Sequence, residues 1–267
     1  MQLTNLVIGQ YYPGDSVLHR ADPRTKIIAA FLYVVVLFMV SGLPALVLLG
    51  AGAAAGIVVA RIPMLWLYRG IRPVLFLVLI TFLFQLFLYG GDVLWRLGPV
   101  TFYREGVLRG GFLALRFLLL LISSSLLTFT TPPVRLTDGL GRLMAPLARL
   151  RFPAYELALM MTIALRFIPT LLAELDRIIK AQMARGADVT HGGLITRARN
   201  TLPIMIPLFV MSFRHADQLA LAMEARCYRG GKGRTLRHKL HFGRLDVALA
   251  LIIIALLGAA LWLGRFR

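Results

Sequence analysis

A chain of 267 residues that is 58% hydrophobic, with a mean hydropathy of +0.76, lies outside the composition of soluble globular domains. Its formal charge of +18 is unusual for a membrane protein. It would suit nucleic acid, an anionic membrane surface or an acidic partner, so its distribution has to decide. A single cysteine, Cys227, excludes an intrachain disulfide and a cysteine-based metal site. The five histidines (His19, His191, His215, His238 and His241) show no metal-ligand spacing and are read as solvated or packed. The N-terminus has no basic region followed by an apolar core, so no cleavable signal peptide is expected.

In chain order, residues 1–26 are irregular and turn-rich around Tyr11-Tyr12-Pro13-Gly14-Asp15-Ser16. Asp22-Pro23 then predicts a helix start, with Asp as cap and Pro at the first helical position. Two short apolar runs follow, about 27–40 and 45–60, expected as a tight helical hairpin broken at Ser41-Gly42 and Pro44. The second contains Gly52-Ala53-Ala54-Ala55-Gly56, a small-residue face suited to close helix packing in lipid. Arg61, Arg69 and Arg72 form a basic connection between Pro63 and Pro73. A third span is expected at about 74–89, with Gln85 as a satisfied interhelical polar group. The 90–106 loop carries Asp92, Arg96, Arg104 and Glu105 and no net charge. A fourth span, about 107–130, holds Arg109 and Arg116 and closes at Pro132-Pro133.

The positive-inside rule orients these spans. The N-terminal segment and the 61–72 connection are basic and should be cytoplasmic, and the neutral 90–106 loop should face outward. Arg116 then lies in the outer half of its helix, within snorkelling reach. Residues 132–244 return inside with 18 Arg and Lys against 7 Asp and Glu, which locates most of the excess charge. Within them the apolar runs Tyr155–Pro169 and Leu202–Phe213, broken by Pro169, Pro203 and Pro207, are expected to lie along the inner membrane face. Two further spans are the alternative. Seven methionines fall in this region, and Met160, Met161, Met205 and Met211 are candidates for an adaptable partner surface, with core filling as the plainer reading. A last span, about 245–263, follows the basic 234–244 stretch and leaves Arg265-Phe266-Arg267 outside.

One short sequence is written twice in the inner region. Ala181-Gln182-Met183-Ala184-Arg185-Gly186 and Ala222-Met223-Glu224-Ala225-Arg226-Cys227 both read A-x-x-A-R followed by a small residue, with Asp176 and Asp217 each five positions ahead. Each copy ends a helix-forming stretch and runs into a break, Gly186-Ala187-Asp188 or Gly230-Gly231-Lys232-Gly233. Each Arg is therefore expected in a last helical turn, where a cation meets the exposed carbonyls. Ala181 with Ala184, and Ala222 with Ala225, share a face and leave a bare patch beside the guanidinium. Two aligned copies suggest a partner with two matching sockets, as a dimer provides.

Catalytic signatures do not stand out. Arg229-Gly230-Gly231-Lys232-Gly233-Arg234-Thr235 lacks the spacing of a nucleotide-binding P-loop, and no paired carboxylates or nucleophile elbow is seen. The chain is read as neither hydrolysing ATP nor doing covalent chemistry. Basic charge without aromatic stacking positions argues for protein or lipid partners over nucleic acid.

Taken together, the paired A-x-x-A-R segments and the opening Tyr12-Pro13-Gly14-Asp15-Ser16…His19-Arg20…Asp22-Pro23-Arg24-Thr25-Lys26 resemble the transmembrane T components (EcfT/CbiQ family) of energy-coupling factor transporters, a branch of the ABC importers. The resemblance covers essentially the whole chain. It implies an all-α membrane protein with about five transmembrane helices plus cytoplasmic-face coupling helices: 1–131, a coupling region 132–244, and a last span 245–267. It implies docking on two ATPase subunits, identical or not, through Ala181, Ala184, Arg185, Gly186, Ala222, Ala225, Arg226 and Cys227. It also implies a substrate-binding S component packed against the same helices. ATP and Mg would belong to the ATPases, this chain binding no cofactor and no metal. The expected setting is a bacterial or archaeal inner membrane, N-terminus inside and C-terminus outside, with uptake of a vitamin or transition-metal ion as the task. Cys227 departs from the family pattern, where glycine is usual. Two rivals remain. A self-sufficient ABC permease would draw on Thr81, Gln85 and Ser123–Ser125, which is scant polar material. A membrane enzyme or assembly factor would use the basic face for lipid or RNA.

Overall fold

The computed structural model describes residues 11–88, 93–97, 100–150, 152–186, 194–230 and 242–265. Outside them lie Ala187 and Asp188 of the first break, Lys232, Gly233 and Arg234 of the basic turn, Asp92, His191, His238, His241 and the tail residues Phe266 and Arg267. The described residues are helical apart from one β-hairpin, so the all-α expectation holds. They divide into two compact units, one of residues 9–140 with 239–267, the other centred on 141–238.

The first unit opens with a one-turn helix, α1 (Val17–Arg20), and α2 (Pro23–Met39). Asp22 caps α2 by accepting the backbone N–H of Arg24 at 2.9 Å, and Pro23 fills its first turn, as the Asp-Pro pair predicts. Helix α3 (Leu43–Ala60) ends at Arg61, whose φ of 53° is left-handed. Helix α4 (Met64–Leu88) takes in most of the expected 61–72 connection and bends by 59° at Pro73. Proline removes one ladder bond there, but helix-forming runs on both sides leave a kink and not a break. The 90–106 loop holds strands β1 (Val93–Leu97) and β2 (Val100–Tyr103), paired antiparallel, which the charge count did not anticipate.

Helix α5 (Arg104–Thr130) runs back along α4. A Cβ on Gly106 would stand 2.8 Å from the Gln85 carbonyl oxygen, and one on Gly110 would stand 3.1 Å from the Phe82 ring. The glycines let the backbones approach but offer no side-chain donors. Accordingly Gln85 is not the satisfied group expected, because its Oε1 meets no donor among the described residues. Helix α9 (Arg244–Arg265) completes the unit. Helices α2 and α3 each pack on both α5 and α9, around a core that includes Val36, Leu37, Leu46, Leu49, Leu119 and Leu257. The G-x-x-x-G pair is consumed inside this packing: Gly52 receives Leu256 of α9 and Gly56 receives Leu126 of α5.

One end of this first unit brings together Tyr12, Asp22, Lys26, Trp66, Thr130 and Asp246. Tyr12 N–H donates to the Phe129 carbonyl at 3.0 Å, and Lys26 Nζ to the Thr130 carbonyl at 3.1 Å. Asp246 at the start of α9 holds Asp22, and Tyr12 meets Trp66 edge-on at 5.8 Å. At the other end the terminal turn of α9 lies against Val40. There Arg116 donates to the Val40 carbonyl, with its guanidinium 5.0 Å from the Phe112 ring and 5.8 Å from Phe38. The exposed carbonyl closing α2 needs a donor in apolar surroundings, and Arg116 supplies it.

The second unit contains the last turn of the amphipathic helix α6 (Pro133–Met144), a 3-10 turn (Ala145–Leu150), α7 (Ala154–Ala184) and α8 (Leu194–Ala225). Neither long helix is broken at its prolines, contrary to expectation. The carbonyl of Pro203, left free because Pro207 has no N–H, accepts from Gln182 Nε2 at 3.3 Å. A side chain of the neighbouring helix thus replaces the missing ladder donor. By length and composition α3, α5, α7 and α9 can each cross a membrane, and bent α4 can serve as a fifth span. Helix α2, with 17 residues, falls just short although it lies within the bundle. Helix α7 qualifies despite being expected at the inner face, since 31 helical residues remain continuous through Pro169.

Candidate functional site

Both copies of the repeat close their helices in one geometry. Helix α7 stops at Ala184, Arg185 serves as C-cap, and Gly186 turns left-handed at φ 83° while its N–H bonds the Met183 carbonyl at 3.0 Å. Helix α8 stops at Ala225, and Cys227 takes the equivalent left-handed turn at φ 58°. Its N–H bonds the Glu224 carbonyl at 2.8 Å, and Tyr228 N–H reaches back to the Met223 carbonyl at 3.0 Å. These two bonds are those of a Schellman cap, which satisfies carbonyls that a helix end otherwise orphans. Cys227 therefore keeps the glycine geometry in spite of its side chain, at a steric cost that glycine avoids.

Every residue proposed for these ends is exposed: Ala181, Ala184, Arg185 and Gly186 on one, Ala222, Ala225, Arg226 and Cys227 on the other. Among the described residues neither Arg185 nor Arg226 has an ion-pair partner. The shared aspartates do differ. Asp176 pairs along its own helix with Lys180 at 2.5 Å, while the equivalent position after Asp217 is Leu221. Each copy is thus a short apolar patch of alanines with one guanidinium at its edge, on a helix end that bonds its own carbonyls and leaves the Arg available.

Helices α7 and α8 run antiparallel. Gln182 near the end of α7 bonds Pro203 near the start of α8, and Phe167 lies 6.2 Å from the His215 ring further along. The two arginines consequently lie at opposite ends of the pair, on the order of 40 Å apart at about 1.5 Å per residue. Between the helices lies a cavity of about 240 Å³ lined by Ile163, Phe167, Ser212 and His215. Its polar groups are turned inward to the backbone: His215 Nδ1 donates to the Met211 carbonyl at 2.9 Å and Ser212 Oγ to the Leu208 carbonyl at 2.7 Å.

Of the four candidate methionines, Met160 is exposed while Met161, Met205 and Met211 are half-buried. A larger apolar surface lies on α8, where Leu202, Ile206, Phe209 and Phe213 are 57–68% exposed. Their spacing of four, three and four puts them on one helix face. That periodicity is present in the sequence, within the run expected to lie along the inner membrane face.

The family model described as cobalt transport protein, CbiQ, matches residues 14–236. Proteins named energy-coupling factor transporter transmembrane protein EcfT are similar across almost the whole chain. The one from Acidaminococcus fermentans is 50% identical over 254 residues, covering 95% of each chain. The one from Clostridium kluyveri is 45% identical, covering 98% of this chain and 100% of its own. The one from Bacillus subtilis is 43% identical, covering 96% and 97%. With matches of this extent, and apolar helices long enough to cross a membrane, the chain belongs to the CbiQ family of membrane transport proteins, among the transmembrane components of energy-coupling factor transporters.

Proposed function

We propose that this chain is the scaffold and coupling subunit of an energy-coupling factor importer, joining two ATPase subunits to a substrate-binding S component for uptake of a vitamin or transition-metal ion. The observation that carries the reading is the matched pair of exposed, identically capped helix ends facing opposite ways on α7 and α8. A partner with two equivalent grooves, as an ATPase dimer has, fits two such plugs. In each groove the alanines allow close approach and the guanidinium meets a carboxylate. ATP and Mg are held by the ATPases. This chain contributes no catalytic group and binds no cofactor. The N-terminus and residues 132–244 face the cytoplasm and the C-terminus faces outward, in accord with the charge pattern.

Movement of the ATPases on binding nucleotide would displace the two helix ends relative to each other. The contact of Phe167 with His215 and the bond from Gln182 to Pro203 then pass that displacement along both helices. The S component rests on Met160, Met161, Met205 and Met211 together with the Leu202–Phe213 face. It responds only insofar as it binds the two arrangements with different free energy. The test is Arg185→Glu combined with Arg226→Glu. Truncating or reversing a desolvated interfacial charge costs about 2–5 kcal/mol per site. The doubly altered protein should therefore fold in the membrane yet purify without ATPases. Retention of stoichiometric ATPases would end the proposal.

A further inference from the structure

The four-helix packing of the first unit is uneven. Around Leu37, Leu46, Leu49 and Leu257 it is filled, but toward the end where α2 and α9 begin, the same four helices surround a cavity of about 310 Å³. Its walls are apolar and in part narrow, with Ala29 and Ala30 from α2, Ala53 and Ala55 from α3, Leu126 from α5 and Leu256 from α9. Two further wall residues, Val59 and Ile252, are 44% and 62% exposed, so the cavity opens sideways between α3 and α9.

At one end of this apolar space stand two polar groups with unused hydrogen-bonding capacity. Thr25 is only 8% exposed and lines the cavity, and its Oγ1, turned into the packing, has no hydrogen-bond partner among the described residues. Lys26 lines it too. Its ammonium donates to the Thr130 carbonyl at 3.1 Å and to Thr131 Oγ1 at 3.0 Å, which leaves one of three N–H donors. The nearby carboxylates of Asp22 and Asp246, and the Arg135 cation, act on it through space, but no ion pair occupies that donor among the described residues. Asp22 accepts from Arg24 N–H, and Asp246 accepts from the N–H groups of Asp22 and Gly243. A cation with a spare donor, beside a hydroxyl, at one end of an otherwise apolar slot that opens on the flank of a membrane bundle complements a molecule with an anionic head and a hydrocarbon tail.

We infer that this cavity is a binding site for one acyl chain of an anionic phospholipid, with the lipid phosphate held by Lys26 Nζ and, once its side chain rotates toward the cavity, by Thr25 Oγ1. The volume excludes a transmembrane helix, whose diameter with side chains is about 10–12 Å. The sideways opening gives access to bilayer chains. A bound lipid would also fill the unpacked half of the bundle and satisfy the Thr25 hydroxyl, which a packed interior otherwise leaves at a cost.

The full-length protein in detergent, supplied with phosphatidylglycerol or phosphatidylcholine, provides the test by native mass spectrometry. One phosphatidylglycerol should survive delipidation and phosphatidylcholine should not. Lys26→Gln should lower retention about tenfold, Thr25→Val should lower it less, and Ala29→Phe, which fills the slot, should abolish it. Each variant is compared at equal monodispersity and helicity. Thr25→Val keeps the test open if loss of the Lys26 bonds impairs folding. Equal retention of the two lipids, undiminished retention by folded Ala29→Phe, or displacement by inorganic phosphate alone would each overturn the assignment. So would a cross-link from Ala30→Cys to a partner chain in an isolated complex, because the slot would then hold protein.

Discussion

Asp246 Oδ1 accepts the backbone N–H of Asp22 at 2.6 Å, across 224 residues of sequence. Its other oxygen takes the N–H of Gly243 at 2.8 Å, the reach-back bond of a capping box at the start of α9. Asp22 in turn caps α2. One buried carboxylate thus fixes two helix starts side by side and ties the first span to the last.

Replacing Asp246 by Ala should therefore loosen the bundle at that end. Two backbone donors would lose a charged acceptor, at a cost of about 2–3 kcal/mol. Asn, which keeps one acceptor oxygen, should cost about half of that. Thermal unfolding of the detergent-solubilised protein measures both, and a variant as stable as the wild type would show that water takes over the two amides.

His19 gives the same end a pH dependence. Its ring is 5% exposed, with Nε2 donating to the Tyr12 carbonyl at 3.0 Å and Nδ1 accepting from Ser16 Oγ at 2.7 Å. Burial pushes its pKa below the ordinary 6.5, the Lys26 charge adds to that, and the Tyr12 bond and Asp15 act in the opposite direction. The folded state then binds fewer protons than the unfolded one between those two pKa values. The stabilisation is complete above about pH 6.5 and declines as pH falls toward the folded value. Melting temperatures measured between roughly pH 5 and 8 should fall on the acid side. In His19→Gln that slope should be reduced.

Cys227→Gly should stabilise the end of α8 by about 1 kcal/mol, because φ of 58° is strained for cysteine and free for glycine. Amide exchange of the last turn of α8 should slow accordingly, without any change in the docking residue Arg226. Faster exchange would mean that the Cys227 side chain makes a compensating contact.

Ala184→Leu and Ala225→Leu test shape separately from charge. Both alanines are exposed, so either change leaves folding intact. In a tight groove each should weaken ATPase binding by about 1–3 kcal/mol, or roughly five- to a hundredfold. Wild-type affinity in both would reduce the motif to its arginine.

The helical class and the positions of the repeat were readable along the chain, because apolar run length, Asp-Pro caps and A-x-x-A-R spacing are local signals, and those motifs carried the resemblance to the family. The start of α2 at Pro23 and the end of α7 at Ala184 were legible for that reason. What the sequence by itself could not determine was which backbone or side-chain group completes another's hydrogen bonding across the fold. Pro203 and Pro207 read as breaks until Gln182 of the neighbouring helix is seen to supply the lost donor. Arg116 read only as a cation toward one end of its helix, and the fold gives it the Val40 carbonyl as partner. The placement of Arg185 and Arg226 at opposite ends of the pair likewise depends on α7 and α8 lying antiparallel, which only the contacts of Gln182 and Phe167 with α8 decide. Local spacing records what a segment prefers, whereas the partner that satisfies a buried polar group is chosen by packing between segments far apart in sequence.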